Sequence, residues 1–507
     1  MPAMKLPHLG IILRMVLALG TLHAGIEAAS SHLPRSTPER QGVPSGALLD
    51  FVEALDRMDQ VHSVMVVRHG HVVAEGWWGP YDAATPHELY SLSKSFTSTA
   101  VGLAVDEGLL GVDDPVLKHF PDDAPTAPGP NLQAMRVRDL LTMTTGHQDE
   151  PPVAPSLVSA RSFLAHPVPH KPGTHFRYNT PATFLQSALV QKASGRTTAE
   201  FLEPRLFRPL GITGIRWDTN FQGISLGGYG LRLKTEDIAK FGQLLLHRGR
   251  WNGQRVLPEG WVREATSKQV SNGSNPGSDW EQGYGFQFWR CRHGAYRGDG
   301  AFGQYCVVLP EQDAVVAITS GVNDMAGPLN HLWATLLPAF AKGPLKADAV
   351  ARARLERRLL GLKVPMPQGR PTSPASADVL GQTYRFATNA IGLESLRLED
   401  SGPEGWVLTR TISGRTESLR CGHGRWGTGT GHLGDTPRGP TRPLGEERLA
   451  ASAAWTSDDT WTLKVCALGT PFQTTHTLRF QGTEVQVATR TQVRFGAAPS
   501  GPLTGRR

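Results

Sequence analysis

The apolar positions of this chain change period several times, and each change marks an element. Residues 48–58 carry apolar side chains every three or four positions, which predicts a short amphipathic helix. Two β runs follow at 63–67 and 72–75, and His69-Gly70 between them signals a hairpin. Helical spacing returns over 96–110, with Phe96, Ala100, Leu103 and Ala104 on one face. The remaining positions there are small (Ser98, Gly102), so this helix can be buried on several sides. Further helices are expected over 137–143, from Pro181 to Gly195, over 235–246 with Thr235 as its cap, and over 329–341. Residues 284–320 read as strands, at 285–289, 304–309 and 314–318.

Strands at both ends of a segment with helices between them predict an α+β domain. Its terminal strands pair into one antiparallel sheet flanked by helices. A charged helix over 345–362 and a Pro/Ser/Gly linker over 365–376 come next. Beyond them the pattern shifts to short alternating runs at 383–386, 396–398, 406–408, 462–465, 476–480 and 485–487. These predict a smaller C-terminal all-β domain, a sheet or barrel. The expected boundaries are 30–343 for the first domain, 344–376 for the charged helix and linker, and 377–497 for the second.

The N-terminus reads as a secretory signal over 1–28. Lys5 and Arg14 lie before and within an apolar stretch at 9–22, and small residues follow at Ala24, Ala28 and Ala29. The chain is therefore expected to be secreted or periplasmic. No Cys lies nearby to carry a lipid, and no later stretch is long and apolar enough to span a bilayer.

Composition narrows the picture further. The 507 residues are 39% hydrophobic and 19% charged, with a net charge of +7 and no long Lys/Arg block. Neither a nucleic-acid stripe nor a polybasic membrane patch is present. The four cysteines fall in two pairs, Cys291 with Cys306 and Cys421 with Cys466. An oxidising compartment permits disulfides between them, while spacing leaves connectivity open. None has the spacing of a zinc site, and no metal or cofactor is expected.

The chemistry concentrates in Ser91-x-x-Lys94, at the start of the helix over 96–110. Residues three apart on a helix share a face, so hydroxyl and amine meet. A serine hydroxyl is a weak nucleophile until a base takes its proton. A buried lysine amine, with its pKa lowered, can be that base. The helix N-terminus adds N–H groups and a positive dipole end that suit an oxyanion. A capping serine followed by a surface lysine would give the same spacing without chemistry, so other elements have to decide.

Two such elements stand downstream. Tyr178, in Phe176-Arg177-Tyr178-Asn179-Thr180, can share the base role or protonate a leaving group. The run Gly298-Asp299-Gly300-Ala301-Phe302-Gly303-Gln304 lets a substrate carbonyl approach the backbone. The Ala301 N–H is then a second oxyanion donor beside that of Ser91.

In this order, the motifs resemble the serine β-lactamase and penicillin-binding protein superfamily, in particular its class C-like esterase branch. The resemblance covers about 30–341. It extends to Leu140-Leu141-Thr142-Met143-Thr144-Thr145-Gly146-His147, to Tyr229-Gly230-Leu231 before Glu236-Asp237, and to Pro310-Glu311-Gln312-Asp313. It implies a β-lactamase-like fold, with an all-helical subdomain beside the sheet, an acyl-serine intermediate and no metal. Ser91, Lys94 and Tyr178 take the catalytic places. Ala301, Gly300, Asp299, Gly298, Asn179 and Thr180 take the oxyanion and substrate-binding places. The implied partner is a small ester, amide or peptide-like substrate.

The chain also departs from the family pattern. The family's Tyr-x-Asn ends here in Thr180, with Asn179 beside it, and its third motif opens with Gly298 instead of Lys or His. Without that basic residue a substrate carboxylate loses its anchor, which favours a neutral ester or amide over a β-lactam or peptide. The register of Arg297 points it to the other face of its strand. Asp299, were it to face the site, would repel anions. Gly223-Ile224-Ser225-Leu226-Gly227 matches Gly-x-Ser-x-Gly but lacks the strand before and helix after that a nucleophile elbow needs. Arg297-Gly298-Asp299 spells an integrin-type tripeptide inside the third motif and is read as accidental. The altered motifs also fit a second class, an inactive family member serving as an envelope or extracellular binding protein.

Overall fold

A computed structural model describes residues 32–432, 446–496 and 501–507. The expected signal segment, 1–28, lies outside the described residues. The first domain contains α1 (Ser45–Asp56), β1 (Val61–Arg68), β2 (His71–Trp77), α2 (Ser93–Asp106), α3 (Thr180–Ser194) and α4 (Thr235–Leu246). It continues with β3 (Trp289–Arg290), β4 (Tyr296–Gly300), β5 (Gln304–Leu309) and β6 (Ala314–Ser320).

The sheet order is β2-β1-β6-β5-β4-β3, antiparallel throughout. The central pairing joins the domain's two ends, with Val64 opposite Ile318 and Val66 opposite Val316. Helices cover both faces, which is why the central strands read as continuous apolar runs. Val64, Val66, Val307 and Ile318 pack with Leu48, Phe51 and Leu55 of α1. Met65, Val67, Val308 and Val315 face the other way, into the core that holds Phe96 of α2 and Phe241 of α4. Those two rings stack at 4.0 Å. A helical layer (α3, Val137–Leu141, Ala160–Leu164, Thr198–Leu202) packs on the far side of α2.

The helix over 345–362 is α5 (Ala349–Leu360), capped by the Asp348 side chain. It packs on α1 and β2 through Leu355 and Leu359, so it belongs to the first domain's outer layer. The linker is not free either, since Arg370 pairs backbone to backbone with Trp455. The second domain has β7 (Thr383–Phe386), β8 (Leu393–Asp400), β9 (Trp406–Ile412), β10 (Arg415–Cys421), β11 (Gly427–Gly431) and β12 (Glu447–Trp455). It closes with β13 (Thr460–Ala467), β14 (Gln473–Gln481), β15 (Glu484–Thr491) and β16 (Leu503–Arg506). The order is β10-β9-β8-β7-β16-β15-β14-β13-β12-β11, and a Gly422–Ser452 bridge brings its two ends together into a nearly closed barrel. The described part of the domain thus runs past the expected end at 497, because β16 fills the gap between β7 and β15. Trp455, Trp461, Tyr384 and Phe480 fill the interior. A cavity beside Leu396, Leu408 and Leu478 measures about 20 Å3, room for a single water.

Several local expectations are corrected. Residues 285–288 form no strand: Gln287 turns to φ 65 and its side chain goes to Thr183 Oγ1 and the Leu140 and Leu141 carbonyls, while Phe286 and Phe288 are buried. Thr235 is the first residue inside α4, with Lys234 at the cap, and its hydroxyl meets Ser63 Oγ at 2.7 Å. All four cysteines are free thiols. Cys306 Sγ donates to the Ile238 carbonyl, whereas Cys291 Sγ lies on the opposite sheet face beside Arg297. Cys421 belongs to the barrel interior and Cys466 to the layer against the first domain.

Candidate active site

Ser91 lies in a 3-10 turn, Tyr90–Leu92, that runs straight into α2 at Ser93. Side chains three apart eclipse in such a turn. Lys94 Nζ accordingly stands 3.1 Å from Ser91 Oγ. The lysine is only 1% exposed, at the centre of the domain. Its amine also faces the Gly228 carbonyl at 2.8 Å and Thr180 Oγ1 at 3.4 Å. Burial lowers its pKa to about 7, against the opposing pull of Glu150 and Asp299. A neutral amine has two N–H groups and one lone pair. With the N–H groups given to Gly228 and Thr180, the lone pair is left for the Ser91 hydroxyl proton.

Tyr178 completes the group. Its hydroxyl lies near the Ser91 side chain, and Lys94 Nζ lies 5.0 Å from its ring centroid. The ring stacks on Trp289 at 5.4 Å. Burial first, then the charge of Asp299, pushes the phenol well above its ordinary range, so Tyr178 keeps its proton.

Gly300 brings β4 against this turn. A Cβ there would overlap the Leu89 carbonyl and stand 3.2 Å from the Ser91 nitrogen, so only glycine permits the approach. Ala301 follows, half-buried, and its carbonyl accepts from Gln304 Nε2 at 3.0 Å. Tyr90 and Phe302, which flank Ser91 and Ala301, both have positive φ, 47° and 65°. Bulky residues rarely adopt it, at a cost of about 1–3 kcal/mol each.

The other expected residues are placed differently. Asn179 is fully buried and caps α3: its Oδ1 accepts from the Ala182 N–H at 3.1 Å, and its Nδ2 faces Thr145 and His147. It is a structural residue, and Thr180 reaches Lys94 instead. A side chain at Gly298 would run into Leu92 of the 3-10 turn and Ser95 of α2, so the room a Lys or His would enter is filled. Asp299 does not stand open to the cleft. Arg297 grips it at 2.7 and 2.9 Å, and both are buried. The arginine lies between Trp280 and Trp289 on the strand face opposite Gly298, as its register requires.

Three further contributors reach the site, and only the first adjoins a stretch that the sequence singles out. The Gly223–Gly227 match is no elbow, yet the adjoining carbonyls serve the site: Gly227 accepts from Thr97 and Gly228 from Lys94. The Gly227-Gly228 pair was the available signal. Exposed Glu150 accepts the Thr180 N–H at 2.7 Å, on the first turn of α3. Phe495 of the second domain packs on Tyr90 and Phe302. Neither Glu150 nor Phe495 carries any motif. Among the described residues no group of three or more His, Cys, Asp or Glu is placed to hold a metal ion. No described helix is long and apolar enough to cross a membrane.

The fold and this constellation define a class, and the comparison with known families gives the same one. The beta-lactamase family model matches residues 41–337, more than half of the chain, and the chain belongs to that family of hydrolases. Among curated relatives, it is 25% identical to the 6-aminohexanoate-dimer hydrolase of Paenarthrobacter ureafaciens over 325 residues, 59% of this chain and 82% of that one. An uncharacterized protein of Alkalihalophilus pseudofirmus is 25% identical over 42% of this chain and 66% of its own. Protein flp of Staphylococcus aureus is 24% identical over 35% of this chain and 39% of its own. The chain therefore spans just under two thirds of the second of these relatives and well under half of the third. Solved structures with similar folds include EstCE1, a hydrolase with promiscuous acyltransferase activity (TM-score 0.48, 18% identity, 57% of this chain and 98% of that one). An octameric penicillin-binding protein homologue from Pyrococcus abyssi has a TM-score of 0.43 and 16% identity, over 89% of this chain and 98% of that one.

Proposed function

We propose that this chain is a secreted serine hydrolase that cleaves a neutral ester or amide through an acyl-Ser91 intermediate. The observation that carries the reading is the buried Lys94 amine 3.1 Å from Ser91 Oγ, with its other neighbours acting as acceptors. Ser91 Oγ attacks the carbonyl carbon while its proton passes to Lys94. The resulting oxyanion accepts from the Ser91 and Ala301 N–H groups. The intermediate collapses with loss of the alkoxide or amine. Tyr178, protonated, delivers a proton to that leaving group and recovers one from Lys94. Water then attacks the acyl carbonyl by the same route, giving the acid and free Ser91.

The polar setting supports an uncharged acyl group. Leu92 and Ser95 occupy the space of the family's basic residue, Arg297 is consumed by Asp299, and Glu150 adds negative charge at the rim. The same features speak against anchoring a β-lactam carboxylate. Likeness to an amide-cleaving dimer hydrolase keeps amides within the substrate class. The apolar stretch at 9–22 supports secretion.

The test is fluorophosphonate labelling of the purified protein beside Ser91→Ala, with p-nitrophenyl ester and chromogenic cephalosporin turnover on the same samples. Labelling and esterase activity that both disappear in Ser91→Ala, with little cephalosporin turnover, are expected. A folded wild-type protein that neither labels nor turns over ester defeats the proposal. Fractionation of the producing cells tests export separately.

A further inference from the structure

The oxyanion donors of this site stand beside two residues in an unfavourable backbone conformation. Tyr90 precedes Ser91 at φ 47, and Phe302 follows Ala301 at φ 65. Such conformations persist in bulky residues only where the surroundings hold them. The hold on Phe302 is partly local: its carbonyl accepts from the Val322 N–H at 3.0 Å and from Ser320 Oγ at 2.8 Å. The rings, however, are gripped from the second domain. The Phe495 ring lies 4.7 Å from that of Phe302 and 5.6 Å from that of Tyr90. Tyr90 and Phe302 meet edge to face at 5.9 Å, so the three rings form one cluster. Phe472 closes it from β14's entry, 6.1 Å from Phe302. Asn323 Nδ2 donates to the Gln492 carbonyl at 2.9 Å and ties down the segment that carries Phe495.

We infer that Phe495 is a positioning residue for the oxyanion hole: the C-terminal barrel supplies the ring that sets the backbone of both donors. This rests on the acyl-serine reading above. The barrel is then part of the catalytic apparatus, although it touches no reacting atom. Among the described residues the barrel interior is filled with side chains, while the segment that follows β15 reaches the two strained positions. Small displacements of a donor are expensive in rate, since the oxyanion is stabilised only over a short range of geometry.

The experiment uses the full chain and compares wild type, Phe495→Ala, Phe495→Tyr and Leu419→Ala. Leu419 is a barrel-interior residue on β10, away from the cluster. Phe495→Ala is expected to lower kcat for a p-nitrophenyl ester roughly 10–100-fold. KM should stay within about threefold, the pattern of an interaction made in the transition state. The pH midpoint of kcat/KM should not move, because Lys94 is untouched. Phe495→Tyr, which keeps the ring, should restore kcat, and Leu419→Ala should lose stability without losing kcat per folded molecule. If Phe495→Ala does not fold, Phe495→Leu is read in its place. Wild-type kcat in the Phe495 variant, or an equal loss in Leu419→Ala, overturns the inference and leaves the acyl-serine reading standing. A folded wild type that neither labels nor hydrolyses overturns both.

Discussion

Arg297 and Asp299, two positions apart on β4, close an ion pair of 2.7 Å in which both residues are buried. Successive side chains on a strand alternate faces, so the pair shares a face and leaves Gly298 and Gly300 to meet the start of α2 and the turn before it. Two charges have been taken out of water together, and neither can lose its partner cheaply. Arg297→Met or Asp299→Asn alone is expected to cost about 3–5 kcal/mol of stability. The double change Arg297→Met/Asp299→Leu should recover most of that loss. Thermal unfolding of the three variants measures it. Additive losses in the double variant would show that the pair is not coupled.

The activity should follow the protonation of Lys94. The amine is neutral above about 7 and charged below. The base form is therefore gained as pH rises, so kcat/KM on a neutral ester should climb through about pH 7 and level off above it. Glu150 favours the charged amine, and Glu150→Gln should move the midpoint to lower pH. A pH profile of both proteins decides this, and an upward or absent shift would remove Glu150 from the circuit.

Gly228 is a steric prediction. A Cβ there would stand 2.6 Å from Thr180 Cγ2 and 3.3 Å from Lys94 Nζ. Gly228→Ala should displace the amine and cut kcat by about two orders of magnitude, as misplacement of a catalytic group does. The melting temperature should change little by comparison. Retained activity would mean that the loop yields and Lys94 keeps its place.

Acid should loosen the contact between the domains. His62 stacks on Tyr81 at 3.8 Å, meets His87 at 3.1 Å and faces Gln473 of the barrel at 3.2 Å. Burial holds His62 well below its ordinary pKa and His87 at about 4. Both are neutral in the folded protein, whereas an unfolded histidine takes a proton near 6.5. Stability that is present above pH 6.5 is thus lost as pH falls towards 4, by about 3 kcal/mol for His87 alone. Melting curves between pH 4 and 7 should show this slope, and His87→Gln should flatten it.

What the sequence disclosed and what it withheld divide along a physical line. That Ser91 and Lys94 meet was legible from their three-residue spacing, whereas Tyr178, far along the chain, was picked out only by its place in a family-like motif. The barrel was legible because alternation follows directly from the pleat. Asn179 was misread as a substrate ligand because a cap and a ligand demand the same amide. The strand expected at 285–289 failed because Gln287 satisfies three buried groups at once, a tertiary demand that overrides its apolar neighbours. Glu150 and Phe495 reach the site through the fold alone, so no local pattern could have marked them.

The pairing of β1 with β6 has a consequence for how the protein is made. Val61–Arg68 finds its central partner only in Ala314–Ser320, at the other end of the domain. The segments that carry Ser91, Lys94 and Tyr178 lie in the stretch of chain that this pairing closes. Contacts so distant along the chain form slowly, because the loop entropy is lost before the contacts repay it. Until β6 has been synthesised, the hairpin of β1 and β2 exposes an unpaired, valine-rich edge. The nascent chain should therefore depend on being shielded from its own copies, and refolding yield should fall steeply with protein concentration.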